Sequence, residues 1–135
     1  MKRTTISSGA PWEKQVGYCR AVRVGPHISV SGTAPVTPNG DVHAPGDAYA
    51  QAKRCIEIIE AALQQAGAGL EHVMRTRLFV TDISMWEAVG RAHGEAFGEI
   101  QPAATMVEVA ALIDPDMLVE IEADAFVPET QHGAR

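Results

Sequence analysis

The sequence predicts an α+β domain, a six-stranded sheet with two helices on one face. Apolar residues recur at the helical period from Ala48 to Ala66, and β-branched runs occupy both ends of the chain. The elements they define follow the order β-β-β-α-β-α-β-β, which is neither an alternating βαβ chain nor an all-β one. At 135 residues, 46% hydrophobic and 21% charged, the chain has the composition of one soluble domain. A chain of this size buries roughly 65–70% of its extended-chain surface, enough for a core without disulfides or metal. The domain is read as residues 1–127, with Pro128–Arg135 a frayed tail.

Residues 2–7 are short, β-branched and mixed, as suits an edge strand. Residues 18–24 and 27–33 flank Gly25-Pro26, a turn dipeptide, and read as a hairpin. The Pro/Asn/Gly-rich loop from Pro35 to Gly46 has its tightest turn at Pro38-Asn39-Gly40-Asp41. Asp47 is placed to cap the first helix, in which Ala48, Ala52, Cys55, Ile56, Ile59, Leu63 and Ala66 share one face. Gly67-Ala68-Gly69 stops it. Residues 72–81 form a fourth strand, with Arg75 and Arg77 opposite Met74, Thr76 and Leu78. Asp82 or Ser84 then caps a second helix with Trp86, Val89, His93, Ala96 and Phe97 on one face. Residues 103–112 and 118–127 are the last strands, joined through Asp114-Pro115-Asp116. Alternation sets Glu120, Glu122 and Asp124 on one side of the final strand, against Val119, Ile121, Ala123 and Ala125. Both faces of the strands carry apolar residues, so the face without helices is expected to meet another subunit.

Charge counts against one class of partner. Seventeen acids against eleven Lys and Arg give a formal charge of −6, and Arg20, Arg23, Arg75 and Arg77 are too sparse for a phosphate-binding groove. No nucleic acid is expected. No apolar run approaches the roughly 18 residues of a membrane span, and the N-terminus lacks the apolar stretch of a secretory signal. Cys19 and Cys55 have no CxxC spacing and suit a reducing cytoplasm. His27, His43, His72, His93 and His132 show no metal-ligand spacing, and nucleotide-loop and serine-elbow motifs are absent. His93 reads as a packed or interface histidine.

One constellation is specific. Val16-Gly17-Tyr18, Val30-Ser31-Gly32-Thr33-Ala34-Pro35, Phe79-Val80-Thr81-Asp82, the run Pro102 to Val109 and the run Leu118 to Ala123 occur in this order. Together they resemble the Rid family, also called YjgF or L-PSP, over residues 15–127. The resemblance implies a chorismate-mutase-like subunit with a six-stranded mixed sheet. It also implies a homotrimer with a small-molecule cleft at each subunit interface, and no metal or organic cofactor. In deaminating members a Tyr, a Ser, an Arg and a Glu line the cleft. The matching positions here are Tyr18, Ser31, Ala104 and Glu120. Thr105 and Met106 follow Ala104 in the same motif.

The arginine position is therefore alanine. A guanidinium grips a carboxylate through a bidentate, charge-assisted fork, and alanine offers neither charge nor donor. Losing two such bonds, each worth roughly 1.5–3 kcal/mol, weakens binding by on the order of a hundredfold or more. Either the substrate lacks that carboxylate, another cation replaces the arginine, or the site binds without turnover. Arg20, two residues from Tyr18 and therefore on the same face of the expected strand, is the preferred replacement; Arg75 and Arg77 are the others. Glu120 still permits hydrolysis, because a carboxylate beside a water can accept its proton as it attacks an imine. Without the resemblance, Glu120 is one of three acids on a solvated strand face. No physical argument places Trp12 and Glu13. The leading expectation is a hydrolase of the imine or enamine deaminase type with altered specificity. The alternative is a non-catalytic trimeric ligand-binding or regulatory protein, and an endoribonuclease is disfavoured by the acidic charge.

Overall fold

The computed structural model describes residues 1–128; the remainder of the expected tail, 129–135, lies outside the described residues. The elements are β1 (Arg3–Ile6), α1 (Pro11–Val16), β2 (Ala21–Val24), β3 (His27–Thr33), α2 (Ala48–Gln65), β4 (Val73–Val80), α3 (Trp86–Phe97), β5 (Ala103–Glu108) and β6 (Val119–Phe126). They form a single six-stranded sheet in the order β1-β2-β3-β6-β4-β5. β4 and β5 are parallel, as the α3 crossover between them requires, and the other pairs are antiparallel. The α+β class and the six strands agree with the sequence. No described helix is long and apolar enough to cross a membrane.

α2 and α3 cover one sheet face. Asp47 caps α2 by accepting from the Ala50 amide at 2.9 Å. Ala52, Cys55, Ile59 and Leu63 of α2 are fully buried against Ile28 and Val30 of β3 and Val119, Ile121 and Ala123 of β6. α3 adds Val89, Ala92 and Phe97 to the same core. The β2–β3 hairpin turns on Gly25, whose φ of 59° precedes the fixed negative φ of Pro26, the sign pattern of a type II′ turn. The expected turn at residues 38–41 also forms, with Gly40 at φ 90° and Thr37 and Asp41 paired through the backbone.

Five local features differ from the sequence reading. First, residues 11–16 form the helix α1. Pro11 sits in its first turn, where the missing amide hydrogen costs nothing, and Gly17 ends it at φ 90°. Second, Tyr18 to Arg20 are not strand. The Tyr18 amide is held by the Glu13 carbonyl and the Arg20 amide by Ile6, so β2 starts only at Ala21. The inference that Tyr18 and Arg20 share a strand face therefore falls. Third, a register shift between Val73 and Arg75 turns Met74 outward, 60% exposed, while Thr76 and Leu78 face the helices. Fourth, Asp82 caps a short 3₁₀ turn, Ile83–Met85, through the Ser84 amide, and α3 begins after it. β5 also ends at Glu108, well short of residue 112.

Gln51 of α2 is fully buried and connects three segments. Its Nε2 donates to the carbonyls of Asp116 at 2.9 Å and Ala44 at 3.3 Å, and its Oε1 accepts from the Leu118 amide at 2.8 Å. These bonds fix the loops entering α2 and β6. Leucine fills similar space but leaves those backbone groups without partners. Gln51→Leu is expected to lower stability by about 3 kcal/mol, since unsatisfied buried groups cost about 1–3 kcal/mol each. Urea denaturation checks this; a loss within experimental error would show that water replaces the amide.

Candidate functional site

The site is built around an irregularity in β3. Val30 pairs with Ala123 and Thr33 with Ile121, so Ser31 and Gly32 together oppose the single residue Glu122. This bulge releases Ser31 and Gly32 from regular pairing. The Ser31 hydroxyl donates to the Cys19 carbonyl at 2.7 Å and its amide to the Arg20 carbonyl at 3.0 Å, which draws residues 18–20 against β3. Gly32 contributes through its missing side chain. A Cβ there would collide with the Glu120 carboxylate, which lies over the Gly32 backbone.

Glu120 is half-buried. Burial pushes its carboxyl above the usual glutamate value of 4.5, the charge of Arg20 works the other way, and Glu122 adds to the rise. Arg20 makes no ion pair with Glu120. Its Nη2 donates to the Gly32 carbonyl at 2.5 Å, its Nε is buried without a partner, and no carboxylate among the described residues lies within ion-pair distance. Arg20 and Glu120 thus bracket the same bulge.

An open depression of about 370 Å³ lies on the sheet face away from the helices, lined by residues that include Arg3, Tyr18, Ser29, Ser31, Glu122 and Asp124. Tyr18 and Ser31 both line it; the acids that line it are Glu122 and Asp124, not Glu120. Arg77 is committed within this face, bonded to Glu122 at 3.2 Å and Asp124 at 3.1 Å, and Ser29 donates to Asp124 at 2.9 Å. Arg75 reaches the Thr105 hydroxyl at 3.5 Å.

The remaining residues lie elsewhere. Ala104 pairs with Thr76, which pairs with Ala123, so it is two strands from β6 and three residues along from Glu120. Each displacement is about 10 Å by strand geometry. Ala104 and Thr105 are exposed on the edge strand β5, while Met106 is half-buried against the core. Within one subunit, Tyr18, Arg20, Ser31 and Glu120 form one group and residues 104–106 another. No described group of His, Cys, Asp and Glu could hold a metal ion. His93 accepts or donates a 2.8 Å hydrogen bond with Thr76, and burial keeps its imidazole below the usual histidine range.

Sequence reasoning left Glu13 unplaced and passed over Glu122 and Asp124 as binding groups. Glu13 is buried, and its carboxylate accepts from the Ser7 hydroxyl at 2.7 Å, the Ser8 amide at 3.0 Å and the Ser8 hydroxyl. Burial opposes its charge, but the Ser8 and Ser7 bonds outweigh that and, with Arg20, hold it below the usual value. The only sequence signal was the Ser-Ser pair six and five residues earlier.

Residues 10–127 match the family model described as Endoribonuclease L-PSP. A crystal structure from Mycobacterium tuberculosis, of a protein described as a member of the highly conserved YjgF/YER057c/UK114 family, is 52% identical. It superposes with a TM-score of 0.85, covering 93% of this chain and 100% of that one. The 3-aminoacrylate deaminase RutC of Acinetobacter baylyi is 36% identical over 82% of this chain and 86% of its own. The E. coli TdcF structure with bound serine is 26% identical, with a TM-score of 0.77, covering 92% of this chain and 94% of that one.

The environment of Glu120 has a measurable consequence. A carboxyl raised by burial favours the fold when protonated, and that contribution is lost as pH rises through its raised value. Glutamine removes the dependence. Glu120→Gln is expected to match the parent in stability below pH 4.5 and to exceed it at pH 7, the ordinary glutamate value being 4.5. Urea titrations at the two pH values check this; a difference independent of pH would contradict it.

Proposed function

The chain belongs to the Rid (YjgF, L-PSP) family, and on that premise we propose that it is a small-molecule hydrolase of the imine or enamine deaminase type with altered specificity. The observation that carries the reading is the Glu120 carboxylate. It is half-buried, raised in pKa and seated at a bulge where Gly32 makes room for it. Water adds to the imine carbon as Glu120 accepts one of its protons and returns it to nitrogen, giving a carbinolamine. The carbinolamine's hydroxyl proton then passes through Glu120 to the amino group, and ammonia leaves as the carbonyl forms. A carboxylate whose pKa lies nearer the working pH is better suited to both transfers.

The specificity follows from Ala104. 3-Aminoacrylate, which gives RutC its name, and serine, bound in TdcF, both carry a carboxylate. Here alanine stands at the matching position, Arg20 is bonded to a main-chain carbonyl and Arg77 to two acids. These commitments count against Arg20 and Arg77 as substitute cations. Arg75, with one 3.5 Å bond to Thr105 and a buried Nε without a partner, is the cation left beside Ala104. The favoured reading is a substrate without the carboxylate. The separation of residues 104–106 from Glu120 supports a homotrimer, in which the exposed edge of β5 meets the Tyr18 side of a neighbouring subunit. The acidic charge of −6 argues against an endoribonuclease.

Light scattering of the purified protein should give close to three times the 14.4 kDa subunit mass. A stable monomer would remove both the trimer and the site shared between subunits.

Ammonia release separates the chemical alternatives. The parent protein should hydrolyse a carboxylate-free imine and act poorly on freshly generated 2-aminoacrylate. Ala104→Arg should raise the second activity, and Glu120→Gln should abolish both. Parent activity on 2-aminoacrylate equal to that of a dedicated deaminase would refute the altered specificity. Inactivity of parent and Ala104→Arg on both substrates would favour a ligand-binding protein.

A further inference from the structure

We propose that Glu13 is a positioning residue of the cleft, acting through Tyr18. The inference rests on the reading of Tyr18 as cleft wall. Among the described residues Glu13 is the only buried carboxylate residue, and covering a charge is costly unless its lone pairs are filled. They are filled by the segment that leaves β1. The Ser7 hydroxyl donates at 2.7 Å and the Ser8 amide at 3.0 Å, and the Ser8 hydroxyl donates as well. The main chain of the same residue faces the other way. Its carbonyl accepts from the amides of Gly17 and Tyr18, each at 2.9 Å. One residue therefore grips positions 7–8 with its side chain and positions 17–18 with its backbone.

What this grip holds is a loop. A six-residue helix cannot sustain itself in isolation, so tertiary contacts decide whether α1 forms. Apolar packing contributes little: Trp12 is 51% exposed and Val16 73%, and no residue of α1 belongs to the buried core. Beyond Gly17 the chain is held by the Arg20 amide on the Ile6 carbonyl and by Ser31 on the Cys19 carbonyl. Tyr18 lies between these anchors and the Glu13 clamp. Releasing the carboxylate loosens Tyr18 while leaving the packed sheet and helices intact.

The test needs no substrate. Tyr18 and Tyr49 are the two tyrosines, so protein labelled with 3-fluorotyrosine gives two ¹⁹F resonances, assigned with Tyr49→Phe. In Glu13→Ala the Tyr18 resonance should move towards the position of unstructured fluorotyrosine while Tyr49 stays in place. Ser8→Ala, which removes one donor, should give a smaller shift in the same direction and guards against a Glu13 variant that fails to fold. An unmoved Tyr18 resonance in either folded variant, or equal movement of both resonances, would overturn the proposal. Because the readout is structural, a protein that hydrolyses no imine but shows the selective shift would refute the hydrolase reading alone.

Discussion

Two residues of β3 are set against one residue of β6, and most of the site follows from that mismatch. A regular pairing would return Ser31 and Gly32 to the ladder and remove the space above the Gly32 backbone. With the bulge, Ser31 can reach the Cys19 carbonyl, Arg20 can reach the Gly32 carbonyl, and the Glu120 carboxylate lies where a side chain at position 32 would otherwise be. The bulge can persist because the layer beneath it is rigid. Val30, Ile121 and Ala123 are buried against α2, and the buried Thr33 hydroxyl bonds back to the Ser31 carbonyl at 2.8 Å.

Charge is distributed unequally over the uncovered face. Arg77 bonds directly to both Glu122 and Asp124, so a single positive charge is shared between those two acids. These pairs are partly exposed and contribute modestly to stability, but they hold the central strands' polar side chains in one arrangement. Glu120 differs. It has the burial that raises a carboxyl and a cation close enough to oppose the rise, but no ion pair. A carboxylate covered in this way is unfavourable for folding alone.

Apolar patterning along the final strand shows how far sequence can be read. Its alternation placed Val119, Ile121, Ala123 and Ala125 inside and the three acids outside, because a strand has a strict period of two. The α2 face was legible because seven apolar positions recur at the helical period. α1 was not legible. Its apolar residues face solvent, and its anchor is a carboxylate bonded to serines outside the helix, which no periodicity records. The strand expected at Tyr18–Arg20 failed for a related reason. Its β-rich composition was overridden by the Tyr18 amide bonding back to Glu13 at the end of α1 and the Arg20 amide bonding to Ile6 of β1.

The sequence by itself determined the α+β class, the turn glycines, the capped α2 and the side of β6 on which each acid lies, since all are local properties of period, cap and turn. Its motif order also carried the family. Only the tertiary structure decided that Arg20 bonds a main-chain carbonyl, that Arg77 holds two acids, that Met74 turns outward and that Ala104 stands two strands from β6. These depend on register and on partners many residues away. A one-residue shift in pairing changes which side chains meet while leaving composition and local pattern unchanged.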